Sequence, residues 1–270
     1  PMTAIANADA FISDWMGLLP DSSSQWVAVS AELAEAAACR VEFIGDSYFV
    51  GYGNRLPAGA PCRDGLARED IEHFTDCWQG MAAICMQQIA QRRESLGNVV
   101  WRIFARSGRG MVRNYPGLVD RVPLSTSYWQ RDRTSPGPHL AVINLGTNDF
   151  STPPGEDESI TDTGALERQF VECYHDFLDK LQQCYPGVGL LLVGVPHPSS
   201  ERQPDLLRQI VRQRSKEGQT IFFCQLPQVP LTGCDAHPGR IGHWHCALAL
   251  AAVIAQNSPL KVHSLGDAAC

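Results

Sequence analysis

The sequence predicts an α/β fold: a three-layer α/β/α sandwich around a five-stranded parallel sheet. Two observations predict it. Short apolar runs, rich in β-branched and aromatic residues, alternate with longer stretches of helical periodicity through most of the chain. That is the pattern of repeated right-handed crossovers. The apolar runs also end in glycine-rich or polar turns, and a parallel sheet gathers such turns along one edge. Length and composition agree, because 270 residues at 44% hydrophobic content suffice for one large domain with a full core.

Residues 1–40 read as an N-terminal extension packing on the main domain, and 41–270 as that domain. In the extension, Phe11, Trp15, Leu18 and Leu19 share a helical face, and the alanine-rich stretch 31–38 favours a second helix. Val41, Phe43 and Ile44 mark the first strand, which runs into Gly45-Asp46-Ser47. Residues 48–70, rich in glycine and proline, read as a long loop. Residues 74–93 turn helical, with Trp78, Met81, Ala82, Cys85 and Ile89 on the core-facing side. The second strand, 99–105, ends in Arg106-Ser107-Gly108-Arg109-Gly110, and 114–138 is irregular. The third strand, 139–145, ends in Gly146-Thr147-Asn148-Asp149, and an amphipathic helix follows at 165–185. A fourth strand at 189–195 leads into Pro196-His197-Pro198 and a helix at 205–217. A fifth strand at 220–226 precedes Asp235-Ala236-His237 and a last helix at 239–256.

A formal net charge of −7, with no basic stretch interleaved with aromatics, argues against nucleic acid as a partner. No apolar run approaches the roughly 20 residues needed to span a bilayer. Ten cysteines are many for this length. Cys62 and Cys77 flank one loop, Cys224 and Cys234 another, and Cys246 and Cys270 bracket the last helix and the tail. These positions suit disulfide staples of an extracellular or periplasmic protein, although buried free thiols are the plain alternative.

The turns at the strand ends carry chemistry. Ser47 is the candidate nucleophile, and a serine hydroxyl needs a base to take its proton. His237 is the candidate base, since imidazole titrates near neutrality. Asp235, two residues earlier, is the candidate orienting acid. The Ser47 and Gly108 N–H groups and the Asn148 amide would form a three-donor oxyanion hole. Asp46 reads as a brace of the turn and Asp149 as structural. His243 and His245 stand two apart on a helix and so face different ways, which argues against a metal centre with His237. The reading needs no metal and no cofactor. Tyr48, Arg109, Asn114 and Trp244 are candidate substrate contacts, with Arg113, Trp129 and His197 behind them. Each also reads as an ordinary core or surface residue.

Gly45-Asp46-Ser47, Gly108, Gly146-Thr147-Asn148-Asp149 and Asp235-Ala236-His237-Pro238 resemble, in order, the four blocks of the SGNH (GDSL-type) hydrolases. Residues 41–54, 107–115, 143–150 and 233–238 are most similar to carbohydrate esterase family 2. The resemblance covers residues 40–255 and implies a flavodoxin-like fold and metal-free ester cleavage. It also implies an acetylated oligo- or polysaccharide as substrate, as in acetyl xylan esterases. A short-chain acyl ester, lysophospholipid or thioester hydrolase is the alternative, and a non-catalytic carbohydrate-binding protein a third. Three departures stand out. Residues 1–40 are too short for the β-sandwich the family carries before its catalytic domain. Ala236 replaces a usual Trp. Asp235 lies two residues before the histidine, where these hydrolases place the acid three before. The resemblance therefore also allows a Ser–His dyad whose ring is oriented by a backbone carbonyl.

Overall fold

The computed structural model describes residues 3–4, 39–57, 62, 71, 73–92, 99–115, 129, 136–155, 158–160, 162–198 and 200–257. The expected helices in the N-terminal extension and the expected staple at Cys270 lie outside the described residues. The strands are β1 (Thr3–Ala4), β2 (Cys39–Gly45), β3 (Val99–Ala105), β4 (Leu140–Asn144), β5 (Gly189–Gly194) and β6 (Ile221–Gln225). They form one sheet in the order β1-β3-β2-β4-β5-β6, every pairing parallel. The five expected strands are all present. The two-residue β1 adds an edge beside β3, too short to carry a periodic signal.

The helices are α1 (Ser47–Val50), α2 (Met81–Arg92), α3 (Thr147–Phe150), α4 (Thr163–Cys184), α5 (Gln203–Lys216) and α6 (Arg240–Asn257). Two apolar cores divide the sheet faces between them. On one face Val41, Phe43, Leu140, Val142 and Leu191 pack with Met81, Cys85 and Ile89 of α2 and Ala247, Leu250 and Ile254 of α6. On the other, Ile44, Ala141, Ile143, Leu190 and Leu192 pack with Phe170, Phe177 and Leu181 of α4 and Leu206 and Ile210 of α5. Successive residues of β4 thus feed opposite cores, the period of two that a pleated strand imposes. Burial on both faces explains why the strands read as continuous apolar runs.

Local chemistry sets the helix starts. The Asp162 side chain accepts from the Ala165 N–H and caps α4, while proline in its first turn opens α5. One start differs from expectation. The stretch 74–93 does not begin as one helix, because Asp76 caps a short 3₁₀ turn at Cys77–Gln79 and Gly80 is extended before α2 begins at Met81. That break carries Trp78 out of register with the α2 core face, and it is 37% exposed instead of joining the core.

Among the described residues one disulfide forms, Cys62–Cys234, with Cα atoms 5.2 Å apart and 172 residues between them in sequence. It joins one cysteine from each of two loops that the sequence sets apart. Cys77, Cys224 and Cys246 are free thiols. No helix of the described residues is long and apolar enough to cross a membrane.

Candidate active site

Parallel register brings the turns together. Gly45 ends β2 opposite Ala105 of β3 and Asn144 of β4, so the segments after all three strands leave from one edge. The chain then turns sharply at each end. The Asp46 carboxylate caps α1 by accepting the Tyr48 N–H at 3.1 Å, and Ser47 opens that helix at its N-terminus. Gly108 sits at φ 78°, in the left-handed region that suits glycine, and its carbonyl accepts from the Tyr115 N–H at 2.8 Å.

The Ser47 hydroxyl lies 2.7 Å from Nε2 of His237. Nδ1 of the same ring faces two main-chain oxygens, those of Cys234 and Asp235, each at 2.9 Å. A neutral ring that donates from Nδ1 leaves Nε2 as an acceptor for the serine proton. The Asp235 carboxylate accepts from the Tyr52 hydroxyl at 3.2 Å. Asp235 and Ala236 both hold positive φ, 48° and 57°. For alanine this conformation is strained, and the turn it makes presents the two carbonyls to the ring. Tyr52 lies against His237 at 4.9 Å between ring centroids, and Tyr48 at 5.7 Å. His197 bonds the main chain of Ala236 from the turn after β5.

Asn148 joins the other two turns. Its side-chain nitrogen donates to the Asp46 carboxylate at 3.1 Å and to the Arg109 carbonyl at 2.9 Å. Asp46 precedes Ser47 and Arg109 follows Gly108, so the amide is tethered to the neighbours of both residues. Asp149 accepts three N–H groups, from Met111, Val112 and Arg113, at 2.6–2.9 Å. It thereby shapes the loop that follows Gly108.

Burial dominates the electrostatics. It pushes Asp46 up to about 7, with the nearby Asp149 charge adding to the rise. Burial, with His197 a lesser contributor, lowers His237 below the ordinary imidazole range even though two carbonyls favour its cation. His243, 1% exposed, accepts the Met81 N–H at Nδ1 and is pushed down to about 3 by burial. It is a packing residue of α6 in contact with the start of α2.

The candidate substrate contacts separate into two kinds. Tyr48, Arg109 and Asn114 are buried, and the Asn114 side chain accepts from the Gly110 N–H at 3.2 Å. Trp244, on the first turns of α6, is 44% exposed. Trp129 is core, donating from Nε1 to Glu42. Arg113 is held by Thr152 and Glu158. Sequence reasoning missed Tyr52 and gave Tyr115 no role. Tyr115 is 44% exposed, and its main chain is pinned to Gly108. Both stand in segments without periodicity. The only hint is an aromatic five residues after the serine, and another at the end of the Gly108 turn.

The chain matches known proteins over this same framework. A protein of Cellvibrio japonicus (strain Ueda107) named acetylxylan esterase / glucomannan deacetylase is 27% identical over 221 residues, which is 76% of this chain and 54% of that one. The cellulase/esterase CelE of Acetivibrio thermocellus is 27% identical over 243 residues, 83% of this chain and 25% of that one. The chain therefore spans about half of the first relative and a quarter of the second. Among solved structures, a carbohydrate esterase described as having divergent catalytic and non-catalytic binding functions superposes with a TM-score of 0.71. It is 23% identical, with 83% of this chain and 70% of that chain covered. A family two carbohydrate esterase from Clostridium thermocellum in complex with cellohexaose gives 0.64 at 22% identity, covering 86% and 66%. The model of the GDSL-like lipase/acylhydrolase family matches residues 43–244, from β2 through the His237 turn to the first turns of α6, and the chain belongs to that family.

Proposed function

We propose that this protein is a serine esterase that removes O-acetyl groups from carbohydrate. The observation that carries the chemistry is the 2.7 Å approach of Ser47 Oγ to His237 Nε2. The relatives named for acetylxylan, glucomannan and carbohydrate esters support the substrate class. Ser47 Oγ attacks the acetyl carbonyl carbon while His237 takes its proton. The oxyanion forms beside the Ser47 N–H, the Gly108 N–H and the Asn148 amide. His237 then protonates the departing sugar oxygen, leaving an acetyl group on Ser47. Water attacks that ester and gives its proton to the same ring; the ring returns the proton to Ser47 Oγ as the C–O bond breaks and acetate leaves. No metal or cofactor enters these steps.

The orienting element is the pair of main-chain carbonyls at Nδ1, so we read a Ser–His dyad. Asp235 serves through its carbonyl and its bond to Tyr52. Buried Tyr48, Arg109 and Asn114 support the site from beneath. Exposed Trp244 and Tyr115 supply faces for sugar rings, which stack on aromatic planes through their apolar C–H surfaces. An acetylated polysaccharide is too large to enter a cell, so the reading sets the protein at work outside the cytoplasm. The Cys62–Cys234 bond suits that setting.

Acetate release from acetylated xylan, acetylated glucomannan and a monosaccharide acetate tests the reading, with Ser47→Ala as control. Release that prefers polymer and vanishes in the variant is expected. Release that survives Ser47→Ala would overturn the catalytic assignment. A rate that climbs with acyl chain length on nitrophenyl esters would move the substrate from acetyl-carbohydrate to longer acyl esters.

A further inference from the structure

We propose that the Cys62–Cys234 disulfide positions the catalytic histidine, with Cys62 a positioning residue for turnover; the proposal rests on the dyad reading above. The bond reaches the ring through three adjoining contacts. Cys234 carries one of the two carbonyls facing His237 Nδ1, at 2.9 Å. The other belongs to Asp235, whose N–H donates to Cys62 Sγ at 3.0 Å. Cys62 thus holds both residues that orient the imidazole, one by a covalent bond and one by a hydrogen bond.

The nucleophile's side presses on the same spot. Gly53, three residues beyond the end of α1, holds φ 61°, and a Cβ built on it would stand 2.5 Å from Cys234 Cβ. Cys234 is therefore clamped between Gly53 and Cys62. The turn it begins contains two residues at positive φ, which a chain keeps only when its surroundings over-determine it. The disulfide is the one covalent restraint on that turn. Cys77, Cys85, Cys173, Cys184, Cys224 and Cys246 are free thiols.

Exchange with a dithiol gives the means of removing the restraint. Cys234 is fully buried and Cys62 half-buried, so a thiolate attacks Cys62 Sγ. The S–S bond breaks, Cys234 leaves as the thiolate and takes a proton, and a mixed disulfide stands on Cys62. The second thiol of the reagent resolves it, releasing the cyclic disulfide and the Cys62 thiol. Two electrons pass from the dithiol to the protein. The turn is then free to relax, and the ring loses its fixed approach to Ser47.

The test uses the full chain reduced under native conditions with dithiothreitol and desalted, with the fraction of reduced Cys62 and Cys234 measured by peptide mass. Acetate release is compared with the oxidised protein and with Cys62→Ala. The expected result is a fall in kcat of about tenfold to a hundredfold, since misplacement of a catalytic group near 1 Å costs this much. KM should stay within about twofold, because saturation depends on the sugar contacts and not on the ring. Reoxidation should restore the rate, and Cys62→Ala should be slow and indifferent to dithiol. Equal kcat in oxidised and fully reduced protein would overturn the proposal. If the reduced chain loses its native near-ultraviolet circular dichroism, Cys62→Ala and partial reduction short of that loss decide instead. Wild-type kcat in natively folded Cys62→Ala, or kcat independent of the fraction reduced, overturns the proposal. Failure of the dyad reading looks different, with oxidised wild type and Ser47→Ala equally active or equally inert. The His237 imidazole titration followed by NMR then judges the bond alone, which is refuted if the titration is the same before and after reduction.

Discussion

At the scale of single residues the account turns on which protons are where. Asn148 has only two amide hydrogens, and the structure directs them at the Asp46 carboxylate and the Arg109 carbonyl. In the proposed mechanism an oxyanion forming beside it shares one of them as a third acceptor. Asn148→Ala removes that donor and should lower kcat by about 10²–10³, or roughly 2.7–4 kcal/mol, with KM little changed. Asp46→Asn keeps the shape but sets an amide nitrogen against the Asn148 amide or the Tyr48 N–H. Steady-state kinetics should show kcat falling while the fold survives. Acid titration gives a second check. His237 must be neutral to act as base, and burial holds its pKa below the ordinary value of 6.5. The acidic limb of kcat/KM should therefore lie below the limb an unperturbed histidine gives; a limb above 6.5 would contradict the assignment. Two buried groups bring opposite linkages to stability. His243, lowered to about 3, contributes stability present above 6.5 and lost as pH falls toward 3. Asp46, raised to about 7, contributes stability present below 3.8 and lost as pH rises through 7. Chemical denaturation of His243→Asn should flatten the loss on the acid side, and of Asp46→Asn the loss toward neutrality.

At the scale of elements, loops do the shaping and strands the placing. The Gly108 segment has no regular structure, yet its backbone is fixed because Asp149 accepts three of its N–H groups. Asp149→Ala would take the carboxylate acceptor from all three donors. At about 1–3 kcal/mol for such a group, the variant should lose several kcal/mol by urea denaturation and most of its activity with it. The elements also show what a sequence can reveal. Strand ends marked by Gly45-Asp46-Ser47 and Gly146-Thr147-Asn148-Asp149 were legible, because a parallel sheet forces such turns to one edge wherever they lie in the chain. The buried state of Tyr48, Arg109 and Asn114 was not. Each stands in a short helix or loop whose neighbours come from distant segments, and no periodicity marks its inward face. Trp78 misled for a related reason. Its spacing fits the α2 stripe, but Asp76 and Gly80 redirect the chain one turn before that helix begins.

At the scale of the whole molecule, the sheet and the Cys62–Cys234 bond act on different distances. The sheet fixes strand ends by hydrogen bonds between neighbours in the order β1-β3-β2-β4-β5-β6. The disulfide ties Cys62 to the turn that carries the histidine, across 172 residues of chain. This pairing was illegible in the sequence, since cysteines close in sequence suggest local staples and only the folded topology brings these two together. Closing so long a loop restricts the unfolded chain, and losing the bond should cost about 2–4 kcal/mol of stability. Thermal melting of Cys62→Ala against wild type checks that figure. The extent of the family match follows from the same architecture. It runs from β2 to the start of α6, the span that supplies every turn of the candidate site.

The central claim is that Ser47 carries the acyl group. Its most direct measurement is acid quenching of the protein during turnover of an activated acetyl ester, followed by peptide mapping. The account predicts one acetyl group on the peptide containing Ser47, absent from Ser47→Ala and formed far more slowly in His237→Ala. Turnover with no acetylated Ser47, or the same acetylation rate without the histidine, would contradict it.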